Sequence, residues 1–350
     1  MTVTETTNRD YSQLLPKRHP QHELFVCDVA DAVLKDIMQH MEHPFYSLSK
    51  KPDTEIRRYE HNGQWLEVTP SVKGLATIYD KDILIYCVSQ IMAKLNKGEP
   101  VSQQVRITAR DLLVFANRGT SGPEYDALEE AIDRLAGTRI STNIQTNKEE
   151  EHDNFGLIDR GKIRRKPRGK DGKKGRLLWC EVTLSDWVFN AIEAHEVMTL
   201  HPDYFRLRKP LERRTYELSR KHCGQQDQWS ISISNLLKKS GSRSPMKRFR
   251  QMLKSISAND HLPDYRVSIE DDVVTFHNRK TMPVCQETTC DLPPLSPETY
   301  DEARLAAPGW DVHLLEQQWR EWASDIPRDA DAAFVGFCRK RFERKGSSTW

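Results

Sequence analysis

The chain has 350 residues, of which 37% are hydrophobic and 30% charged, and its formal net charge is only +2. That length allows two or three domains with cores of their own. The sequence has no apolar run of about twenty residues, the length that crosses a membrane. Its start, Met1 to Thr7, also lacks a charged-then-apolar signal segment. These features exclude a membrane protein and predict a cytoplasmic one.

Patterns typical of metal, nucleotide or catalytic sites are incomplete in this sequence. Among seven scattered cysteines only Cys285 and Cys290 are close, and no second Cys or His pair follows them at zinc spacing. The segment Gly156 to Ile163 approaches a phosphate-binding loop, but its last residue has no hydroxyl for Mg²⁺. The chain also lacks the His-x-His motif that a nicking enzyme would need. We therefore expect no cofactor, no metal and no enzymatic activity.

The N-terminal part of the chain predicts a polar tail followed by a mixed region. Residues 1–21 are expected to be a disordered tail. A stripe of apolar residues predicts a helix over His22 to Met41, and an Asn-Gly turn precedes a predicted strand from Gln64 to Thr69. The longest helix is predicted from Val72 to Leu95. These elements begin a first domain, residues 22–200.

Two strands flank two helices in the next part of that domain. Val105 to Thr108 predicts a strand, Ala109 to Ala116 a helix, Pro123 to Ala136 a second helix and Arg139 to Thr146 a strand. The helix from Pro123 is acidic, so phosphate would repel it, and it suits packing against protein. Its acidic residues are Glu124, Asp126, Glu129, Glu130 and Asp133.

A strongly basic segment separates two further predicted strands, Phe155 to Ile163 and Leu177 to Leu184, which we expect to pair. The segment Arg160 to Arg176 holds ten Lys or Arg residues against one Asp. It is either a solvated mobile loop or an arm laid along a DNA backbone, where it would add affinity without reading sequence. In the second case Arg164, Arg165 and Lys166 contact phosphates.

The same order of elements recurs in residues 201–280. A helix carrying Arg213 and Arg214 precedes a strand from Trp229 to Ile233, a short helix from Asn235 to Lys239 closed by Gly241, a third helix and a two-stranded ribbon. This order is typical of a winged helix-turn-helix. We therefore predict an α+β protein with two tandem winged helix-turn-helix domains, of which the second is the main DNA-binding domain.

The third helix of this second copy is strongly basic. Ser244 is predicted as its N-cap and Pro245 as its first residue, and Met246, Phe249, Leu253 and Ile256 recur at helical spacing on a buried face. Cations neutralise phosphate and Arg or Gln can read base edges, so the opposite face suits the major groove. The alternative is an ordinary surface helix. The proposed DNA-contacting residues here and in the neighbouring helices are Arg213, Arg214, Lys238, Lys239, Arg243, Ser244, Lys247, Arg248, Arg250, Gln251 and Lys254.

The chain ends in a predicted helical appendage. Residues 281–297 are expected to be a linker, and residues 298–345 a small helical region with a seam of Leu315, Trp319 and Trp322. Its charges are mixed, so protein contact and DNA contact are equally compatible with it.

Several long segments resemble the plasmid replication initiator protein A family. They are Glu42 to Ser49, Pro70 to Ile85, Tyr204 to Arg214 and Arg220 to Gly224, and the resemblance extends over about residues 22 to 280. It implies an initiator that binds double-stranded repeats at a plasmid origin, opens an AT-rich region and recruits the host initiator and replicative helicase. It also implies a homodimer in equilibrium with monomer, with the first domain dimerising. A transcriptional repressor built from the same domains and, less favoured, an origin-nicking enzyme are the alternatives.

Overall fold

A computed structural model of the chain describes residues 11–19, 33–144, 153–166, 175, 177–281, 293, 295–308, 310, 312–322, 327 and 329–345. It divides into two compact units, Met1–Met282 and Pro283–Trp350. Both repeats of the predicted element order therefore lie in one unit. In these ranges no helix has the length and apolar character required to cross a membrane.

The first part of unit 1 surrounds one buried helix, α2 (Lys81–Asn96). Its side chains are buried on every side from Lys81 to Met92, as expected of a helix at the centre of a core. The elements around it are β1 (Lys35–Ile37), α1 (Met38–Glu42), β2 (Arg57–His61), β3 (Gln64–Thr69), β4 (Gln104–Thr108), α3 (Ala109–Phe115), α4 (Gly122–Gly137), β5 (Arg139–Thr142), β6 (Asp153–Gly156), β7 (Ile158–Arg165), β8 (Leu177–Leu184), α5 (Asp186–Glu193) and β9 (Val197–Thr199).

The rest of unit 1 begins with a 3₁₀ turn, Pro202–Arg206. It continues through α6 (Pro210–His222), β10 (Gln228–Ser232), α7 (Ile233–Ser240), α8 (Met246–Asn259), β11 (Tyr265–Glu270) and β12 (Val273–Asn278). We call residues 81–184 the first module and residues 210–278 the second module.

The two modules share a sheet topology. In the first, the strands lie in the order β4-β8-β7, and in the second in the order β10-β12-β11, all antiparallel. In both, the strand that follows the first helix pairs with the last strand of the module. The first module also sends β5 and β6 into a separate four-stranded sheet, β2-β3-β5-β6, while β1 pairs with β9.

Three predicted elements differ from the observed ones. The single strand expected from Phe155 to Ile163 is two strands, since β6 pairs with β5 and β7 with β8. The helix expected from Val72 begins at Lys81. The helix expected from His22 lies partly outside the described residues, and within them Lys35–Ile37 is a strand and only Met38–Glu42 is helical.

Part of the N-terminal tail that was expected to be disordered packs on unit 1. Leu14 is buried, and its neighbour Leu15 exchanges two hydrogen bonds with Arg206, at 2.8 Å through the backbone and 2.6 Å through the guanidinium. The backbone nitrogen of Arg18 also donates to the side chain of Asn117 at 2.8 Å. Apolar burial and these hydrogen bonds hold residues 11–19 in place.

Unit 2 contains three described helices, α9 (Pro297–Ala306), α10 (Val312–Trp322) and α11 (Ala330–Lys345). Leu315 and Trp319 of α10 are buried with Phe334 and Cys338 of α11 in a core of their own. The predicted seam is therefore largely present. Most of the predicted linker lies outside the described residues.

Candidate nucleic-acid interface

The second module places α7 and α8 one after the other around a tight turn. The Ser232 hydroxyl accepts a hydrogen bond from the backbone nitrogen of Asn235 at 3.3 Å and caps α7. Gly241 ends α7 at φ 69°, a left-handed conformation that favours glycine. A Cβ at Gly241 would lie 2.6 Å from Pro44 Cβ, so the close approach of these segments also requires glycine.

Helix α8 is divided between a buried and an exposed face. Phe249, Leu253 and Ile256 are buried in the core of the module, whereas Met246, expected on the same face, is 36% exposed at the first turn. The predicted cap is displaced by one residue, because Pro245 occupies the N-cap position and Ser244 precedes it. The exposed face consists of Lys247, Arg248, Gln251 and Lys254.

The cations of this exposed face, and Lys238 of α7, are available to a ligand. Within the described residues, no carboxylate lies within ion-pair distance of Lys238, Lys247, Arg248 or Lys254, and all four are exposed. Two neighbouring arginines are engaged at the surface. Arg243 contacts Asp53 at 3.2 Å and also Glu55, and Arg250 contacts Asp272 at 2.7 Å.

Arg213 was predicted to reach DNA, and the structure shows that it is buried. Its guanidinium lies 2.7 Å from an Asp82 carboxylate oxygen and over the ring of Tyr79, with 4.7 Å to the ring centroid. Burial opposes its charge, but Asp82, Tyr204 and Tyr79 together outweigh burial and raise the pKa of Arg213. This side chain joins α6 to α2 and does not face a phosphate.

Arg214 is likewise buried, and its guanidinium donates hydrogen bonds to several backbone carbonyl oxygens. It donates to the carbonyl oxygens of His40, Met41, Glu42 and Lys239 at 2.8 to 3.1 Å, and it contacts Glu217 at 3.1 Å. Lys239 was also predicted to contact DNA. It is only 8% exposed and lies 3.6 Å from Glu42, and burial lowers its pKa. The contacts predicted for these two residues are therefore corrected.

A buried charge cluster that was not predicted from the sequence lies where β1 and α2 meet α6. Lys81 Nζ lies 2.6 Å from Asp36 and 3.0 Å from Glu217, with all three side chains at most 1% exposed. Burial raises the pKa of Asp36 to about 6, while Lys81 and Arg214 outweigh burial at Glu217 and lower its pKa. The sequence signal for this cluster was the adjacent pair Lys81-Asp82, two charged residues at the start of a helix that is otherwise mostly apolar. Because Lys81 belongs to the first module and Glu217 to the second, the cluster connects the two.

In the first module the acidic helix α4 is partly paired with cations of the same chain. Arg165 of β7 contacts both Glu129 and Asp126, the latter at 3.3 Å. Lys73 contacts Asp133, whereas Arg134 pairs with Asp80 at 2.7 Å and lies 3.7 Å from Glu130. Arg165, predicted to contact DNA, is thus engaged by α4, whereas Arg164 and Lys166 are exposed. Residues 167–174 of the basic segment lie outside the described residues.

The described residues contain neither a metal-binding cluster nor an exposed thiol. No group of three or more His, Cys, Asp or Glu among them is placed to hold a metal ion. The thiols of Cys87, Cys180, Cys223 and Cys338 are buried, and burial raises their pKa values, which opposes formation of a thiolate. Cys285 and Cys290 lie outside the described residues.

Known proteins resemble the chain in fold and in sequence. Domains 2 and 3 of RctB, a solved structure, align with a TM-score of 0.51 at 15% identity, covering 68% of this chain and 97% of that one. A protein of Wigglesworthia glossinidia brevipalpis named "Putative replication protein" is 37% identical over 272 residues, covering 76% of this chain and 96% of the relative.

The likeness to RctB places the chain in a class of mixed helix-and-strand folds. The family model described as "Replication initiator protein A" matches residues 35–267. The chain belongs to the replication initiator protein A family. The resemblance inferred from the sequence segments is confirmed, and the matched region includes both modules up to β11.

Proposed function

We propose that the protein initiates plasmid replication by binding double-stranded repeats at the plasmid origin. Family membership supports the initiator role. DNA binding is supported by the exposed face of α8, which presents cations and a glutamine. This helix follows a tight turn and precedes the two-stranded β11–β12 ribbon. We interpret both modules as winged helix-turn-helix domains, with α8 as the recognition helix.

In this proposal the residues of α8 and its neighbours contact either bases or phosphates. Lys247, Arg248, Gln251 and Lys254 face the bases of the major groove. Arg243 and Arg250 contact phosphates after leaving the exposed carboxylates of Glu55 and Asp272, which costs little because exposed ion pairs contribute only about 0–1 kcal/mol. The buried Asp53 then keeps its ion pair with Arg57. Lys238 and Ser244 flank the same face, and Arg164 and Lys166 of the first module provide auxiliary backbone contacts.

The first module is proposed to contact protein. An acidic α4 is unsuited to a groove, and the pairing of its carboxylates with Arg165 and Lys73 supports a protein-facing surface. We assign to this module the homodimer in equilibrium with monomer. Contacts with the host initiator and the replicative helicase are proposed from the family alone.

We further propose that the protein is not an enzyme. A plasmid that carries only the candidate origin should be maintained when this gene is supplied in trans. A transcriptional repressor built from the same modules would bind the DNA but fail to maintain the plasmid. Incubation of supercoiled origin DNA with the protein and Mg²⁺ should leave it supercoiled, and relaxed circles would instead indicate a nicking enzyme.

A further inference from the structure

The sheet of the first module has one open face. Ile107, Cys180 and Val182 point inward and are fully buried, and a Cβ at Gly161 would clash with Ile132 of α4, which places α4 on the same inner side. Since side chains alternate along a strand, the intervening residues form the opposite face. The charged and aromatic residues of this outer face are Arg106, Arg160, Lys162, Arg164, Trp179 and Glu181.

Trp179 lies between cations from the two neighbouring strands. The Arg106 guanidinium carbon is 4.1 Å from the indole centroid, and Lys162 Nζ is 5.6 Å from it. Arg106 is exposed and Trp179 is half-buried. A guanidinium that stacks on an indole has a second planar face, on which an unpaired base can stack.

The outer face is strongly positive. Its four cations stand against one carboxylate, Glu181, which lies 3.8 Å from Lys162. Within the described residues, Arg106, Arg160 and Arg164 have no ion-pair partner. Arg160, Lys162 and Arg164 follow one another at every second residue of β7, about 7 Å apart. Such a row of cations can follow a phosphate backbone.

We propose that this outer face binds single-stranded DNA. A duplex would meet the cations, but its bases are stacked inside and cannot reach the Arg106–Trp179 stack. A single strand presents both phosphates and free base faces, and so it uses the cations and the stack together. The proposal goes beyond duplex recognition by α8. The two share only Arg164, and Arg106 and Trp179, which form the stack, have no assigned duplex contact, so each proposal can fail without the other.

Binding of the full-length protein to a fluorescently labelled oligo(dT) of about 16 nucleotides, a length that covers typical single-strand sites, tests this assignment. Wild type should bind. Arg106→Ala should weaken binding about fivefold or more, the effect of losing one stacking contact. Arg106→Lys should weaken it too, because the ammonium keeps the charge but not the stacking plane.

Two controls separate the outcomes. Arg110→Ala removes an exposed cation that belongs to α3 and to none of the three strands of this face, and should bind oligo(dT) like wild type. Arg248→Ala should weaken only duplex binding, measured on a fragment adjacent to the gene. The proposal is overturned if wild type does not bind oligo(dT), if Arg106→Ala binds as tightly as wild type, or if Arg110→Ala loses as much affinity as Arg106→Ala.

Discussion

Replacing Arg214 by alanine should destabilise the fold strongly without removing any DNA contact. The guanidinium satisfies four backbone carbonyls that come from two separate segments, residues 40–42 and Lys239, and it also pairs with Glu217. In the variant these acceptors remain buried, because Arg214 is only 3% exposed and water does not reach them easily. The junction between α1, α6 and α7 would therefore lose its central donor.

The magnitude follows from the cost of breaking a buried ion pair. Removing one partner of such a pair typically costs about 3–5 kcal/mol, and the abandoned carbonyls act in the same direction. Glu217 retains Lys81 at 3.0 Å and the Tyr204 hydroxyl at 2.6 Å, which limits the loss at that carboxylate. We expect Arg214→Ala to lower the free energy of unfolding by about 3–5 kcal/mol.

Equilibrium denaturation in urea, followed by circular dichroism, measures this loss. Arg214→Lys keeps the charge but offers three donors in place of a planar fork, so it should be destabilised as well, and less. Lys247→Ala is the matched exposed control, expected within about 0.5 kcal/mol of wild type. An Arg214→Ala protein as stable as wild type, or one that loses duplex affinity at unchanged stability, would refute the structural role.

Two further predictions concern stability. Burial and the nearby Lys239 lower the pKa of His222 from its usual 6.5 to about 4, so acid protonates this side chain in the unfolded chain first and favours unfolding between those values. His222→Gln should therefore lose less stability than wild type between about pH 7 and pH 5 in urea titrations, and an unchanged pH profile would contradict this. Gly241→Ala should lower the melting temperature more than Gly98→Ala. Both glycines have φ near 70°, but only a Cβ at Gly241 meets Pro44, so equal losses would contradict the packing argument.

Local patterns predicted much of the second module and one strand outside it. The strand Gln64–Thr69 of the N-terminal part, the β11–β12 ribbon and the end of α7 at Gly241 follow from alternation, turn residues and a left-handed glycine. The buried face of α8 was predicted at Phe249, Leu253 and Ile256, and its exposed face was predicted from the helical period. These features depend on residues that are neighbours in the sequence.

The errors at Arg213 and Arg214 came from contacts between residues distant in the sequence. Arg213 looks like a surface cation in its own helix, but its partner Asp82 lies 131 positions earlier. Arg214 is held by carbonyls more than 170 positions away. Neither the spacing nor the composition of α6 distinguishes a cation that faces solvent from one that fills a buried junction.

Affinity for duplex DNA tests whether the exposed face of α8 recognises DNA. A fragment identified by footprinting next to the gene should bind Lys247→Ala and Arg248→Ala more weakly than wild type by about 1–3 kcal/mol, or about 5- to 150-fold. The Arg110→Ala protein should match wild type. If Lys247→Ala and Arg248→Ala both bind this fragment as tightly as wild type, α8 is not the recognition helix.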